Sequence, residues 1–279
     1  NAKNRVLAFL FAAMFLCLTP RPSQALLLLE SYVFMNERSG SAVMTVKNTE
    51  ERPLAYRLSW EQVYMTPDRG RQIDRPDVAI ENVKAADPYL YMSPRRMVIQ
   101  PRQMQSIRFM LRREKDLPPG EYRSYIFLQP EKIADLRANN DTSPRILQGQ
   151  GVQLDMLAGY RLPVFFLNGE TTLDVSFTDI RAGKNRKGKD ALFFTMNRTG
   201  TRSAIGKVDV VCDKGTAEEK LLVRKDVKIF TELNRRDFSA VLEAAPSACK
   251  TITLSFVPHI RDPDYKGGQP MAVAQWSGP

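Results

Sequence analysis

The chain has 279 residues, a formal net charge of +10 at pH 7, 43% hydrophobic residues, three cysteines and a single histidine. One histidine makes a Ser–His or Cys–His catalytic set hard to assemble and argues against a metal centre. No Gly-x-Ser-x-Gly and no phosphate-cradling glycine loop occurs. The sequence therefore points to a non-enzyme with no cofactor and no metal.

The first 25 residues read as an export signal. Lys3 and Arg5 give a positive start, Val6 to Leu18 is apolar, and Ser23-Gln24-Ala25 is a small-x-small cleavage site. The apolar run is short for a bilayer span, and Pro20 and Pro22 end it. No later segment suggests stable membrane insertion. The remainder suits two domains of about 100–150 residues each.

After residue 25 the chain reads as strand after strand. Leu26 to Phe34 is apolar and β-prone, and Ala42 to Val46 follows. A turn at Lys47 to Pro53 leads to Tyr56, Leu58 and Trp60, alternating with Arg57 and Ser59. Residues 62–92 are a polar, proline-bearing excursion with one or two short strands. Met97 to Ile99, Ile107 to Leu111 and Tyr122 to Leu128 are further strands, the last two split by the turn Leu117-Pro118-Pro119-Gly120. Residues 129–151 form a long polar loop, a length that goes with function or mobility.

Val152 opens the clearest alternation in the chain. Val152, Leu154, Met156, Ala158, Tyr160, Leu162, Val164 and Phe166 share one face. Such a strand is about 50 Å long at about 3.3 Å per residue, twice what its own sheet needs. Asn168-Gly169-Glu170 reads as a domain joint.

The second half carries strands at Leu173 to Phe177, Ala191 to Met196, Lys207 to Cys212, Leu221 to Val223, Val227 to Phe230, Phe238 to Leu242 and Thr251 to Phe256, at β-sandwich spacing. Lys184 to Lys189 is basic and reads as an exposed hairpin turn. The end of the chain is expected to be loose. Cys17 falls inside the signal, so Cys212 and Cys249 are left as one disulfide of an exported protein. The fold class expected is all-β, with two sandwiches: 26–168, containing the long strand 152–166, and 169–262, followed by a loose tail 263–279. Arg95-Arg96 beside Tyr89 and Tyr91 would suit a nucleic acid, but export argues against one.

Two stretches carry a family resemblance: Ser-Pro-Arg-Arg-Met-Val-Ile-Gln-Pro-Arg-Gln-Met-Gln-Ser-Ile-Arg-Phe at 93–109 and Leu-Pro-Pro-Gly-Glu-Tyr-Arg-Ser-Tyr-Ile-Phe-Leu at 117–128. In order and spacing they resemble the PapD-like pilus (fimbrial) chaperones of the chaperone–usher pathway, with Val46 to Pro53 and Trp60 fitting the second and third strands. Arg102 stands where that family usually has glycine, and the 62–92 excursion is long, as in its divergent branches. The resemblance implies two immunoglobulin-like domains in a boomerang and a periplasmic location. It also implies binding of pilus subunits that lack a strand, and delivery to an outer-membrane usher. The chaperone lends its own strand, here Leu154, Met156 and Ala158, with Tyr160 and Leu162 continuing the row. Without a client, such an edge invites self-association.

The family also holds the client's terminal carboxylate with two basic residues. Tyr32 and Pro163 fall on those positions here, so Arg161 is the best anchor, with Arg96 or Arg95 as the second charge. Arg108 matches the family's structural, domain-orienting arginine. The competing readings are a pilus subunit or surface adhesive module, which would be one incomplete sandwich, and an exported β-sandwich enzyme, which lacks a catalytic set.

Overall fold

The computed structural model describes residues 26–67, 72–73, 83–112, 116–132 and 159–278. The expected export signal, the core of the long loop and the donor positions Leu154, Met156 and Ala158 lie outside them.

The first sandwich is built from β1 (Leu26–Leu28), β2 (Val33–Asn36), β3 (Ser41–Asn48), β4 (Leu54–Glu61), the short hairpin β5 (Tyr64–Met65) and β6 (Gln72–Ile73), β7 (Leu90–Ser93), β8 (Arg96–Ile99), β9 (Met104–Leu111), β10 (Gly120–Glu131) and β11 (Tyr160–Asn168). One sheet runs β1-β3-β9-β7 and the other β2-β11-β10-β4-β8. Alternation does what it should: Met44, Val46, Ile107 and Phe109 from the first sheet meet Tyr56, Leu58, Ile126, Leu128 and Val164 from the second in one core. The apolar stretch read as one opening strand is broken at Glu30-Ser31, and its halves join different sheets. After β3, Asn48 is fully buried and closes the turn. Its amide donates to the carbonyls of Arg52, Ile99 and Gln100, and its Oδ1 accepts the Glu50 N–H.

The second sandwich contains β12 (Leu173–Lys184), β13 (Asp190–Gly200), β14 (Ala204–Cys212), β15 (Lys220–Ile229), β16 (Arg235–Val241), β17 (Ile252–Pro258) and β18 (Ala272–Trp276). Its sheets run β12-β13-β16 and β15-β14-β17-β18. Leu192, Phe194, Val208, Val210, Leu254 and Phe256 fill the space between them. Two stretches read separately, around 221–223 and 227–230, form the single strand β15, with a register shift at Val210/Val211 on its partner. The stretch expected to be a loose tail contains β18, which pairs antiparallel with β17 from Ile252↔Trp276 to Phe256↔Ala272. Proline and glycine at 263–270 hid a five-residue edge strand behind them. The basic 184–189 segment is the β12–β13 hairpin turn, with Gly188 at φ +72°.

Cys212, at the end of β14, is bonded to Cys249, 37 positions on in sequence, with Cα atoms 5.4 Å apart. Closing a loop of that size removes unfolded-state entropy worth about 2–4 kcal/mol. Replacing both cysteines by serine is expected to lower stability by about that much, as read by urea unfolding of oxidised protein. Unchanged stability would mean that the bond contributes nothing beyond its neighbours' packing.

Candidate functional site

β10 is buried on both faces from Glu121 to Ile126. Tyr122, Ser124 and Ile126 face the first core, opposite Phe166, Val164 and Leu162 of β11. Glu121, Arg123 and Tyr125 face outward, and the second sandwich covers them. An Arg123 nitrogen, Nη2, lies 2.8 Å from both carboxylate oxygens of Glu232, and both side chains are almost wholly buried. The Arg123 guanidinium also stands 4.3 Å over the Phe230 ring. Its Nε and Nη1 have no hydrogen-bond partner among the described residues. Beside it, the Glu121 carboxylate accepts the Ser203 N–H at 2.7 Å and the Ser203 hydroxyl. Burial pushes the Glu121 carboxyl up, against the opposing pull of Arg123 and Ser203. The 62–92 excursion joins this node, because the Met65 N–H donates to Glu232 at 2.6 Å.

The arginine buried at the joint is Arg123, whereas Arg108, expected from the resemblance to orient the domains, lies elsewhere. Arg108 is exposed on the outside of the other sheet, beside Val43. It makes no ion pair or hydrogen bond to the second sandwich among the described residues. The sequence carried a signal for Arg123: charged residues at 121 and 123 interrupt a strand otherwise apolar on both faces, which means that something covers its outer face.

Beside the joint, a cleft of about 1090 Å³ opens between the β1–β2 crossover and the second sandwich. Tyr32, Phe34 and His259 meet in it, with Phe165 behind Phe34. The segment 259–268 that forms one wall is pinned from below by Arg202, which is buried and paired with Asp262 at 3.1 Å and with Asp264. Tyr32, aligned with a basic residue of the resembled family, is part of this ring cluster. Burial and the nearby Asp226 raise its hydroxyl pKa.

β11 is the second feature. On one side it pairs with β10 over its whole length. On the other, β2 runs parallel to it only from Val164 to Leu167. From Tyr160 to Pro163 no strand lies on that side among the described residues. Pro163 has no N–H to offer, which suits an edge. Entry into the strand is tight: a Cβ on Gly159 would stand 2.7 Å from Phe127 Cε2.

The site residues expected from sequence are distributed as follows. Leu162 is 3% exposed and belongs to the sandwich's own core, and Tyr160 packs against that core, near Tyr56. Both side chains belong to the inward face that continues into Val164 and Phe166. Arg161 lies on the outer face, 2.6 Å from Glu61 and 5.0 Å over the Phe127 ring. Arg96 shares Glu131 with Arg57, at 3.0 and 2.7 Å, on the far edge of the sheet. Arg95 is exposed beside it, its carbonyl accepting the Leu58 N–H. None of these three arginines lines the cleft; Lys207, Arg224 and Arg261 do. Among the described residues no group of acids, cysteines and histidine could hold a metal.

No protein-family model and no curated protein matches the chain. Among solved structures it is similar to the class 5 fimbriae chaperone CfaA, at 11% identity over 91% of this chain and 98% of that one, with a TM-score of 0.43. It is similar to the E. coli chaperone DraB at 12% identity, covering 91% and 97%, with a TM-score of 0.42. It also matches a chain of the Salmonella enterica SafA pilin complex with the SafB chaperone at 13% identity, covering 92% and 98%, with a TM-score of 0.40. The likeness is loose, and the strand order of this chain defines its fold.

Two outcomes are expected. Glu232→Ala leaves Arg123 buried without its carboxylate and should cost about 3–5 kcal/mol in chemical unfolding, largely restored when Arg123→Leu is added. A cost under about 1 kcal/mol would show that the pair does not hold the joint. The second outcome concerns pH. Burial, then Arg261 and Lys207, hold the His259 pKa below its usual value, against Asp262. A lowered folded pKa means that the unfolded chain takes up the proton first. The stabilisation is complete above the unfolded value of about 6.5 and is lost as pH falls towards the folded one. The thermal midpoint of wild type should therefore drop more between pH 7 and pH 5 than that of His259→Gln; parallel curves would overturn this.

Proposed function

We propose that this chain is an exported, non-catalytic assembly chaperone of the periplasm, which binds pilus subunits by strand addition and passes them to an outer-membrane usher. The observation that carries the reading is the side of β11 at Tyr160–Pro163 on which no strand lies among the described residues. A sheet edge presents a row of backbone groups that a partner strand can complete. The alternating stretch 152–158 leads directly into this edge and supplies the side chains for a client's groove. Leu154, Met156 and Ala158 are the proposed donors, and Tyr160 and Leu162 stay with the chaperone's own core. Burying Leu154 and Met156 is worth about 3–6 kcal/mol, with about 1 kcal/mol more from Ala158, before ordering costs, which suits a complex that is firm yet transferable.

Arg161 is the proposed anchor for a client carboxylate. It is 41% exposed and exchanges Glu61 for the incoming group. Arg96 stands three strands away, about 14 Å across the sheet, so one carboxylate does not bridge the two.

The test is co-expression in a bacterial periplasm with a single-sandwich pilus subunit, measuring recovery of a one-to-one complex. Wild type should recover the subunit, Met156→Asp should lower recovery at least about tenfold, and Arg161→Ala should lower it severalfold. Equal recovery with all three would sink the strand-donation reading.

A further inference from the structure

The sheet β1-β3-β9-β7 of the first sandwich turns one face to the core and the other to solvent. Register fixes what the solvent face carries. Leu27, Lys47 and Met104 form one row across it, and Thr45 and Ser106 the next. Leu29 extends that second row, its N–H donating to the Thr45 carbonyl. Val43, Arg108 and Ser93 form the third row, and Ser41, Met110 and Tyr91 the fourth. At the end of the face the Arg112 guanidinium stands 4.4 Å over the Tyr91 ring.

This face combines apolar exposure with charge of one sign. Leu27, Leu29, Val43, Tyr91, Met104 and Met110 are between 39% and 58% exposed. They are six of the eleven large hydrophobic side chains exposed among the described residues, so apolar surface is gathered here instead of scattered singly. Lys47, Arg108 and Arg112 stand among them, and no Asp or Glu occupies any of the four rows. None of these three cations takes part in an ion pair among the described residues. On the outer face of the opposite sheet, by contrast, Arg57 and Arg96 are neutralised by Glu131, and Arg161 by Glu61. The acids at the margin of the β1-β3-β9-β7 face are engaged: Glu30 accepts the Thr45 N–H, and Glu51 is paired with Arg102.

Side chains on one face of a sheet project to nearly the same level, so a partner that touches all four rows is broad and flat. A protein partner would have to match each side chain with its own packed contact. A bilayer needs no such match, because headgroups and acyl chains flow around the side chains. Apolar groups enter the headgroup boundary while cations beside them meet phosphates. Methionine adapts its shape to such a surface, and a tyrosine over which an arginine lies suits the boundary between apolar and wet regions. Three cations without an acid fix the sign of the partner as negative.

We propose that the outer face of the β1-β3-β9-β7 sheet docks the protein peripherally on a phospholipid bilayer with anionic headgroups. Its apolar side chains enter the headgroup region, and Lys47, Arg108 and Arg112 pair with lipid phosphates. The proposal goes beyond the chaperone reading: it uses export, but neither strand donation nor a client. β11 belongs to the opposite sheet, so its edge stays open while this face is docked.

The exported protein is sedimented at low salt with vesicles of phosphatidylethanolamine containing about one-third phosphatidylglycerol, and with vesicles of phosphatidylcholine alone. Wild type should bind the anionic vesicles at least about tenfold more strongly. Arg108→Glu and Met110→Asp should each weaken that binding about tenfold. Both positions are exposed, so both variants should keep the wild-type thermal midpoint, which separates loss of contact from loss of fold. Lys187→Glu makes the same change in net charge on the β12–β13 hairpin and should stay within about twofold of wild type. No binding by wild type, or equal binding to both kinds of vesicle, overturns the proposal. An equal loss with Lys187→Glu would mean that net charge alone draws the protein to the vesicles, and also overturns it. So does an apparent mass above the monomer, without vesicles, that Met110→Asp abolishes, because the face would then be covered by a second copy of the chain.

Discussion

The rest of the structure depends on the ion pair between Arg123 and Glu232. It joins the outer face of β10 in the first sandwich to the segment after β15 in the second, and both side chains are almost wholly buried. Burying two charges costs several kcal/mol in lost hydration, and their attraction repays this only when the geometry is held. A displacement of either domain would leave a charge in a dry place with no partner. The pair is therefore worth less as stabilisation than as a constraint, because it penalises other relative positions of the sandwiches. Glu121 on Ser203 and Met65 on Glu232 add three further hydrogen bonds to the same joint.

The cleft follows from that constraint. Its two walls belong to different sandwiches, so its width is set at the joint rather than within either core. One wall is the segment after β17, which would be a free loop but for Arg202, whose guanidinium reaches both Asp262 and Asp264. The other is the crossover from β1 to β2 together with the start of β2. Its aromatic residues, Tyr32 and Phe34, close against His259 and Phe165 instead of turning into the first core.

Most of the fold was legible because alternation is a local signal with a single period. The strands at Ala42 to Val46, Tyr56 to Trp60 and Ile107 to Leu111 sit where their patterns put them, and the cysteine pair in an otherwise cysteine-poor half is bonded. What escaped was set by distant contacts. β1 and β2 look like one strand until the two sheets compete for them. β18 looks loose because its pairing energy comes from β17, and little in its own sequence demands it. Arg123 was passed over because the family pattern pointed to Arg108, and only the burial of both faces of β10 singles it out. The cleft's cations, Lys207 and Arg261, lie in the second half, more than 170 positions in sequence from Tyr32 and Phe34, with which they line the cleft.

An uncovered sheet edge is a hazard to its owner, and this one is guarded. Arg161 places a cation on the edge strand, with Glu61 beside it, so a purely apolar strand meets an ion pair at the point of entry. Pro163 removes one donor from the row, and β2 covers the remainder up to Leu167. Among the described residues the length left without a partner strand is four residues, shorter than a typical strand of five or six. Four residues of ladder are too few to hold an arbitrary partner against the cost of ordering it. On the function proposed above, a partner must therefore add something else, and a groove for the side chains of the 152–158 stretch is that addition. Selectivity then comes from the shortness of the edge as much as from what lies on either side of it.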